Sequence, residues 1–84
     1  MEFKTFYLNK TANHHVNEYV NGDGDHYSDL ISYTTRVASY NHKTNEMSVY
    51  GTYSATTMRH INDFLEFYGF DKCTKKELIA NYNL

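Results

Sequence analysis

The chain lacks several features that would assign a small protein to a class. It has no proline, no tryptophan, four glycines and a single cysteine, Cys73, among its 84 residues. A lone cysteine excludes a disulfide within the chain and fits a reducing compartment. No apolar run is long enough to span a membrane, and the N-terminal residues lack the apolar core of a signal peptide. We therefore expect a cytoplasmic protein.

An excess of basic residues is also absent. Eight Lys and Arg face ten Asp and Glu, so the net charge is −2 with neutral histidines. Nucleic-acid binding normally needs a basic patch, and the charge is not acidic enough to indicate a nucleic-acid mimic. A chain of this length makes one domain and buries about 60% of its unfolded surface. A homodimer that hid an apolar face would stabilise it, but the sequence does not require one.

Aromatic residues are plentiful, with nine Tyr and five Phe. Tyrosine-rich chains place these rings in sheets and at interfaces. Alternating or β-branched patterns predict strands at residues 3–8, 14–20, 30–40 and 47–53, the second being the weakest. A polar break is predicted at residues 9–13. The turn-forming run at residues 21–25 either closes a hairpin or opens a loose loop, and residues 41–45 form a polar hairpin loop.

The strongest pattern lies in residues 53–70. A helical period places Met58, Ile61, Leu65 and Tyr68 on one side, widened by His60, Phe64 and Phe67. Ser54, Thr56 and Thr57 are the alternative N-caps. Gly69 is suited to the left-handed position after the C-cap, and Phe70 is expected to fold back onto Leu65.

A second, short helix is predicted to follow. Thr74 and Glu77 have the spacing of a capping box, which opens a helix that runs to Tyr82. The predicted fold class is therefore α+β. A small antiparallel sheet of three to four strands is covered on one face by the main helix, with a short C-terminal helix.

No pattern in the sequence indicates catalysis. Asn21, Asp23, Asp25 and Asp29 superficially resemble a calcium loop, but His26 replaces the required glycine and Ser32 the closing glutamate. The five histidines lack zinc-ligand spacing; His14, His15 and His26 would converge only by chance, and His60 is expected at the rim of the core. Cys73 has no placed histidine partner, and phosphate-loop and nucleophile-elbow motifs are absent. We therefore expect no catalytic residue, no metal, no cofactor and no enzymatic activity.

The start of the main helix is the most interesting polar region. Its free N–H groups and its dipole favour an anion. Together with the second helix, it has the outline of a helix-turn-helix motif. The phosphate contacts in that interpretation are Thr56, Thr57, Arg59, Lys75 and Lys76. Simple capping and a solvated face explain the same residues.

Two segments carry a family resemblance. Residues 32–38 follow the pattern S-Y-x-T-x-V-A, and residues 53–65 follow Y-S-x-T-T-x-R-H-I-N-x-F-L. The chain thereby resembles small uncharacterised proteins encoded by phages, plasmids and prophages of Gram-positive bacteria. The resemblance implies a mobile element in a bacterial host cell and stoichiometric binding to a host protein or ribonucleoprotein complex. A defence nuclease such as a CRISPR–Cas effector is the sharpest candidate, and a DNA-binding regulator is the alternative.

The partner surface predicted for such a protein combines three groups of residues. They are the acidic loop, exposed tyrosines of the sheet and the polar edge of the main helix: Asp23, Asp25, Asp29, Tyr33, Tyr50, Asp63 and Glu66.

Overall fold

Five strands and two helices make up the computed structural model, which describes residues 2–8 and 13–84. The strands are β1 (Glu2–Phe6), β2 (His14–Val20), β3 (His26–Ser32), β4 (Thr35–Asn41) and β5 (Glu46–Val49), and the helices are α1 (Ala55–Phe67) and α2 (Lys75–Tyr82). Each strand pairs antiparallel with the next in the order β1-β2-β3-β4-β5. The α+β class with an antiparallel sheet is confirmed. Most of the predicted polar break, residues 9–12, lies outside the described residues.

The predicted number of strands, three to four, is wrong because residues 30–40 are not one strand. Ser32 pairs with Thr35 across a two-residue turn, which separates β3 from β4. Tyr33 enters the left-handed region with φ 56°, a conformation uncommon for a bulky residue. The turn contains none of the Gly or Asn residues that usually mark such a hairpin. The pattern of β-favouring residues therefore continues through the turn and predicts a single strand.

The turn at residues 21–25 closes a hairpin between β2 and β3. The side-chain oxygen of Asn21 accepts hydrogen bonds from the backbone N–H groups of Asp23 and Asp25, both at 3.0 Å. Gly24 adopts φ 83°, which an L side chain would resist. Of the two alternatives that the sequence left open, the hairpin is therefore the observed one.

Helix α1 begins and ends with local capping contacts. Ser54 is the N-cap, and its Oγ accepts the N–H of Thr57 at 3.3 Å. At the other end Gly69 has φ 84°, and the N–H of Phe70 donates to the carbonyl of Leu65 at 2.9 Å. This is the Schellman arrangement predicted from the glycine. The capping box of Thr74 and Glu77 at the start of α2 is also confirmed.

The core lies between the sheet and the two helices. One row across the sheet, Val16, Leu30, Ala38 and Val49, is buried on the face that we call the inner face. Helix α1 adds Ile61, Phe64 and Leu65, and α2 adds Leu78, all fully buried. Burial of each large apolar side chain contributes about 1.5–3 kcal/mol, so this layer holds the fold together. No described helix is both long enough and apolar enough to cross a membrane.

Helix α1 runs antiparallel to β3. Thr57, near its start, contacts Ser32 at the end of β3, whereas Tyr68, its C-cap, contacts Ser28 near the beginning of that strand. Polar groups therefore lie at both ends of the inner face, next to the two ends of α1. They include the two histidine pairs described below.

Candidate functional site

The outer face of the sheet, opposite α1, carries a row of aromatic rings. Phe3 lies opposite Tyr19, and Tyr19 lies opposite Tyr27, across the neighbouring strands β1, β2 and β3. Phe3 is 65% exposed, and the rings of Tyr19 and Tyr27 are 5.9 Å apart. The contacts of α1 with the strands involve inner-face residues such as Phe6, His14 and Ser32. We call Phe3, Tyr19 and Tyr27 the aromatic row.

A further aromatic ring, that of Tyr50, lies at the other end of the outer face and contacts Arg36. The guanidinium of Arg36 lies 5.0 Å from the centre of the Tyr50 ring, and its Nη1 is 3.8 Å from the carboxylate of Asp29. Ser39 donates a hydrogen bond of 2.7 Å to the same carboxylate. The guanidinium of Arg36 therefore lies between the Tyr50 ring and the Asp29 carboxylate.

Asp29 does not belong to the acidic loop in which the sequence predicts it. It lies in the middle of β3 and is only 8% exposed, because Ser39 and Arg36 enclose its carboxylate. Burial and the neighbouring Asp29 raise the pKa of Tyr19. Asp29 therefore organises the outer face and is not available as a contact residue.

The remaining predicted partner residues do not form one surface. Asp23 and Asp25 lie at the β2–β3 turn, whereas Tyr33 lies at the opposite end of β3, which is about 20 Å away for a strand of this length. Tyr50 also belongs to the distant end, since its N–H bonds the carbonyl of Val37.

Two further predicted residues lie on α1, away from the outer face. Asp63 faces His14 on the inner side, with 3.8 Å between its carboxylate and Nε2. Glu66 forms an ion pair with Lys72 at 3.4 Å.

The start of α1 differs from the predicted anion site in one residue. Thr57 is buried, with its hydroxyl 3.0 Å from that of Ser32, so it faces the sheet and not a ligand. Thr56 and Arg59 remain exposed and line a cavity of about 490 Å³ together with Lys72. Lys75 and Lys76 are exposed in the first turn of α2.

A buried histidine pair lies beside this cavity. The rings of His14 and His60 stack at 4.0 Å with 18° between their planes. His60 bonds Ser32 through Nδ1 at 2.8 Å. Neither ring nitrogen of His14, which is 1% exposed, has a hydrogen-bond partner within the described part of the chain. Burial lowers the pKa of both imidazoles, which favours their neutral forms.

A second histidine pair lies at the other end of the inner face. His26 and His42 stack at 3.8 Å with 9° between planes, and Nε2 of His26 is 2.7 Å from Oε2 of Glu18. One ligand atom from each of these three half-buried residues lies within 4.8 Å of the others. We call Glu18, His26 and His42 the metal-type cluster. Burial, and then the neighbouring His26, lower the pKa of His42.

Two hydroxyl groups support this cluster. Tyr68 donates a hydrogen bond of 2.7 Å to Oγ of Ser28, and the same Oγ lies 2.7 Å from Nε2 of His42. The ring of Tyr40 meets His42 edge-on at 4.9 Å. The imidazole of His42 is thus held from two sides.

Sequence reasoning missed this cluster because its members are separated by 8 and 16 residues in the chain. Only the register brings them together, since β2 and β3 pair Val20 with His26, and the N–H of His42 bonds the carbonyl of His26. His14 and His26, which the sequence predicts to converge only by chance, lie at opposite ends of the β2–β3 pairing. The cluster could have been predicted only if the positions of the β2–β3 and β3–β4 turns were known, because these turns set the register of the strands.

Comparison with known proteins gives a family but no described relative. A search of curated proteins and a search of solved structures each found no match. A family model matches residues 2–80, from β1 into α2. The chain belongs to DUF8033, a family of unknown function.

Proposed function

We propose that this chain is a small non-catalytic binding protein that occupies a partner protein with its outer face. The observation that carries the proposal is the aromatic row on a sheet face that α1 does not cover. Aromatic residues and arginine are the side chains most enriched at the centres of protein interfaces, and Arg36 with Tyr50 adds both types to the same face.

The outer face is also preorganised. The Asp29 carboxylate lies 3.8 Å from Nη1 of Arg36, and Ser39 donates a hydrogen bond to Asp29. Side chains that are already ordered lose less conformational entropy on binding, a cost of about 0.5–1.5 kcal/mol for each flexible side chain immobilised. The contacts around Asp29 therefore lower this cost on the outer face.

Charge next to the aromatic row indicates the chemistry of the partner. The turn that carries Asp23 and Asp25 directly follows β2 and precedes β3, at the end of the sheet where Tyr19 and Tyr27 lie. An acidic turn beside half-buried rings complements a surface with basic and apolar groups. Proteins that handle nucleic acid present such surfaces, so a bacterial nuclease complex, including a CRISPR–Cas effector, is the partner class that we propose.

Affinity capture with matched variants tests the proposal. The untagged chain is compared with a Phe3→Ser/Tyr27→Ser variant and with Phe67→Ser, a control on α1 that replaces a ring 57% exposed away from the outer face. A panel of purified bacterial nuclease complexes serves as the partner set. We expect the outer-face variant to bind about 30-fold more weakly, the effect of losing one hot-spot aromatic, and the control to bind like the natural chain.

Two results would contradict this function. One is the absence of a stable complex with every nuclease tested. The other is an equal loss of affinity in Phe67→Ser, since that would show general destabilisation and not a contact through the outer face.

Duplex DNA is the second candidate ligand, favoured by the exposed Arg59, Lys75 and Lys76. It has weaker support because the first turn of α2 carries the carboxylate of Glu77, which accepts the N–H of Thr74 at 2.9 Å and repels phosphate. The DNA hypothesis predicts gel retardation that weakens steeply with salt and is lost in Lys75→Glu/Lys76→Glu. Failure to retard DNA at low salt would remove it.

A further inference from the structure

The structure assigns the metal-type cluster, Glu18, His26 and His42, to a binding site for a divalent transition-metal ion of the Zn²⁺ type. The assignment does not rest on the proposed protein interface. The cluster lies at one end of the inner face, and the groove beside it is shared with Phe3 and Tyr19 of the aromatic row.

The donor set selects the class of cation. Two imidazole nitrogens and one carboxylate oxygen are ligands that zinc and its neighbours in the first transition row accept readily. Calcium and magnesium instead require sites built almost wholly from oxygen. With three protein ligands, one coordination position remains for water, as in zinc sites that stay open to solvent.

The strand register brings the three ligands together on ordered backbone. Glu18 belongs to β2 and His26 to β3, and these strands pair over seven residues. His42 follows β4 directly, and its N–H donates to the carbonyl of His26 at 2.9 Å. The site is therefore preformed by the sheet, and binding needs only side-chain adjustment.

That adjustment changes the orientation of the rings more than the distances between the ligand atoms. Zinc bonds of about 2.0–2.2 Å at tetrahedral angles place neighbouring ligand atoms about 3.3 Å apart. In the structure Oε2 of Glu18 and Nε2 of His26 are 2.7 Å apart, and all three ligand atoms lie within 4.8 Å of each other. The stacked rings must tilt so that their nitrogens converge. The side chain of His26 is 36% exposed, which gives it room to do so.

Access and outer-shell support are both present. Glu18 and His26 line a surface groove of about 260 Å³, so an ion can reach them from solvent. On the protein side, Ser28 and Tyr68 form a hydrogen-bonded pair against His42. Partners of this kind orient metal-binding histidines and strengthen the site.

Metal titration of the full, untagged chain tests the assignment. After treatment with a chelator, the protein is titrated with Zn²⁺ in competition with a chromophoric chelator, and with Co²⁺ while the visible absorption of a tetrahedral complex is followed. We expect one ion per chain. Glu18→Gln and His26→Gln should each weaken binding at least about 100-fold, because outer-shell changes alone cost about 10–100-fold. His15→Gln, a half-buried histidine on β2 outside the cluster, is the matched control and should bind like the natural chain.

Circular dichroism of each metal-free variant shows whether it is folded, and Glu18→Gln keeps the size of the natural side chain. Binding weaker than a Kd of about 100 μM, or a stoichiometry other than one, would overturn the assignment. So would a loss of affinity in His15→Gln equal to that in His26→Gln, since surface histidines would then account for the binding.

Discussion

Replacement of Leu65 with alanine tests the packing on which the whole arrangement depends. Leu65 lies on α1, is fully buried, and also provides the carbonyl that accepts the N–H of Phe70 at the end of the helix. The substitution leaves the backbone bond intact and removes only apolar contacts. A buried Leu→Ala change costs about 2–5 kcal/mol, made up of lost transfer free energy and the cavity that remains.

This cost is large compared with the stability of so small a domain. At about 0.05–0.15 kcal/mol per residue, 84 residues give a free energy of unfolding of about 4–13 kcal/mol. In domains of this size 1 kcal/mol shifts Tm by about 4–8 °C, so a loss of 3 kcal/mol lowers Tm by about 12–24 °C. Near the lower limit of stability, the variant would be partly unfolded at room temperature.

Urea denaturation followed by circular dichroism measures the effect, with thermal melts as a second readout. The matched control is Ile79→Ala on α2, where the side chain is 40% exposed and the expected loss is below about 1 kcal/mol. A loss in Leu65→Ala no greater than in the control would refute the reasoning, because the helix would then contribute little buried area to the core.

Three further changes have defined outcomes. Gly69→Ala should lower the free energy of unfolding in a urea melt by about 1–2 kcal/mol. An added Cβ would contact no neighbouring atom, but alanine is strained at the φ of 84° that this position requires. Thr74→Ala should cost about 0.5–2 kcal/mol through loss of the α2 cap, and its far-ultraviolet dichroism should show a frayed second helix. Burial lowers the pKa of His14 and His60 below the usual histidine value of 6.5. As the pH falls, the unfolded chain therefore takes up these protons before the folded chain does, and Tm should fall as pH drops below about 6.5. The double variant His14→Gln/His60→Gln should show a flatter pH dependence, with a residual slope from His42, whose pKa burial also lowers.

The parts of the fold that the sequence predicted correctly are those fixed by local chemistry. Ser54, Gly69 and Thr74 act within a few residues of themselves, so their roles at the helix ends follow from residue type and spacing. The apolar side of α1 was also correct for Ile61 and Leu65, which are fully buried. Phe67 was assigned to that side but is mostly exposed and rests on Phe6 at the edge of the sheet.

The parts that failed depend on turns without a signal and on contacts between distant residues. The β3–β4 turn uses Tyr33 in the left-handed region, where composition predicts a strand to continue. Once that turn is missed, the register of the sheet cannot be known. Without the register, Asp29 is predicted in a loop. The contact of Glu18 with His26 and His42 also cannot be predicted.

The two histidine pairs show why ring stacking alone does not indicate a metal site. Both pairs stack at close to 4 Å, yet their surroundings differ. The carboxylate nearest to His14 is 3.8 Å from Nε2. His14 is almost fully buried, so a divalent ion there would lose its water without gaining a close anionic ligand. At the other pair the Glu18 carboxylate is within hydrogen-bonding distance and solvent reaches the groove. The close carboxylate therefore decides which pair binds the ion, and the first pair is left as a neutral, acid-sensitive element of the core.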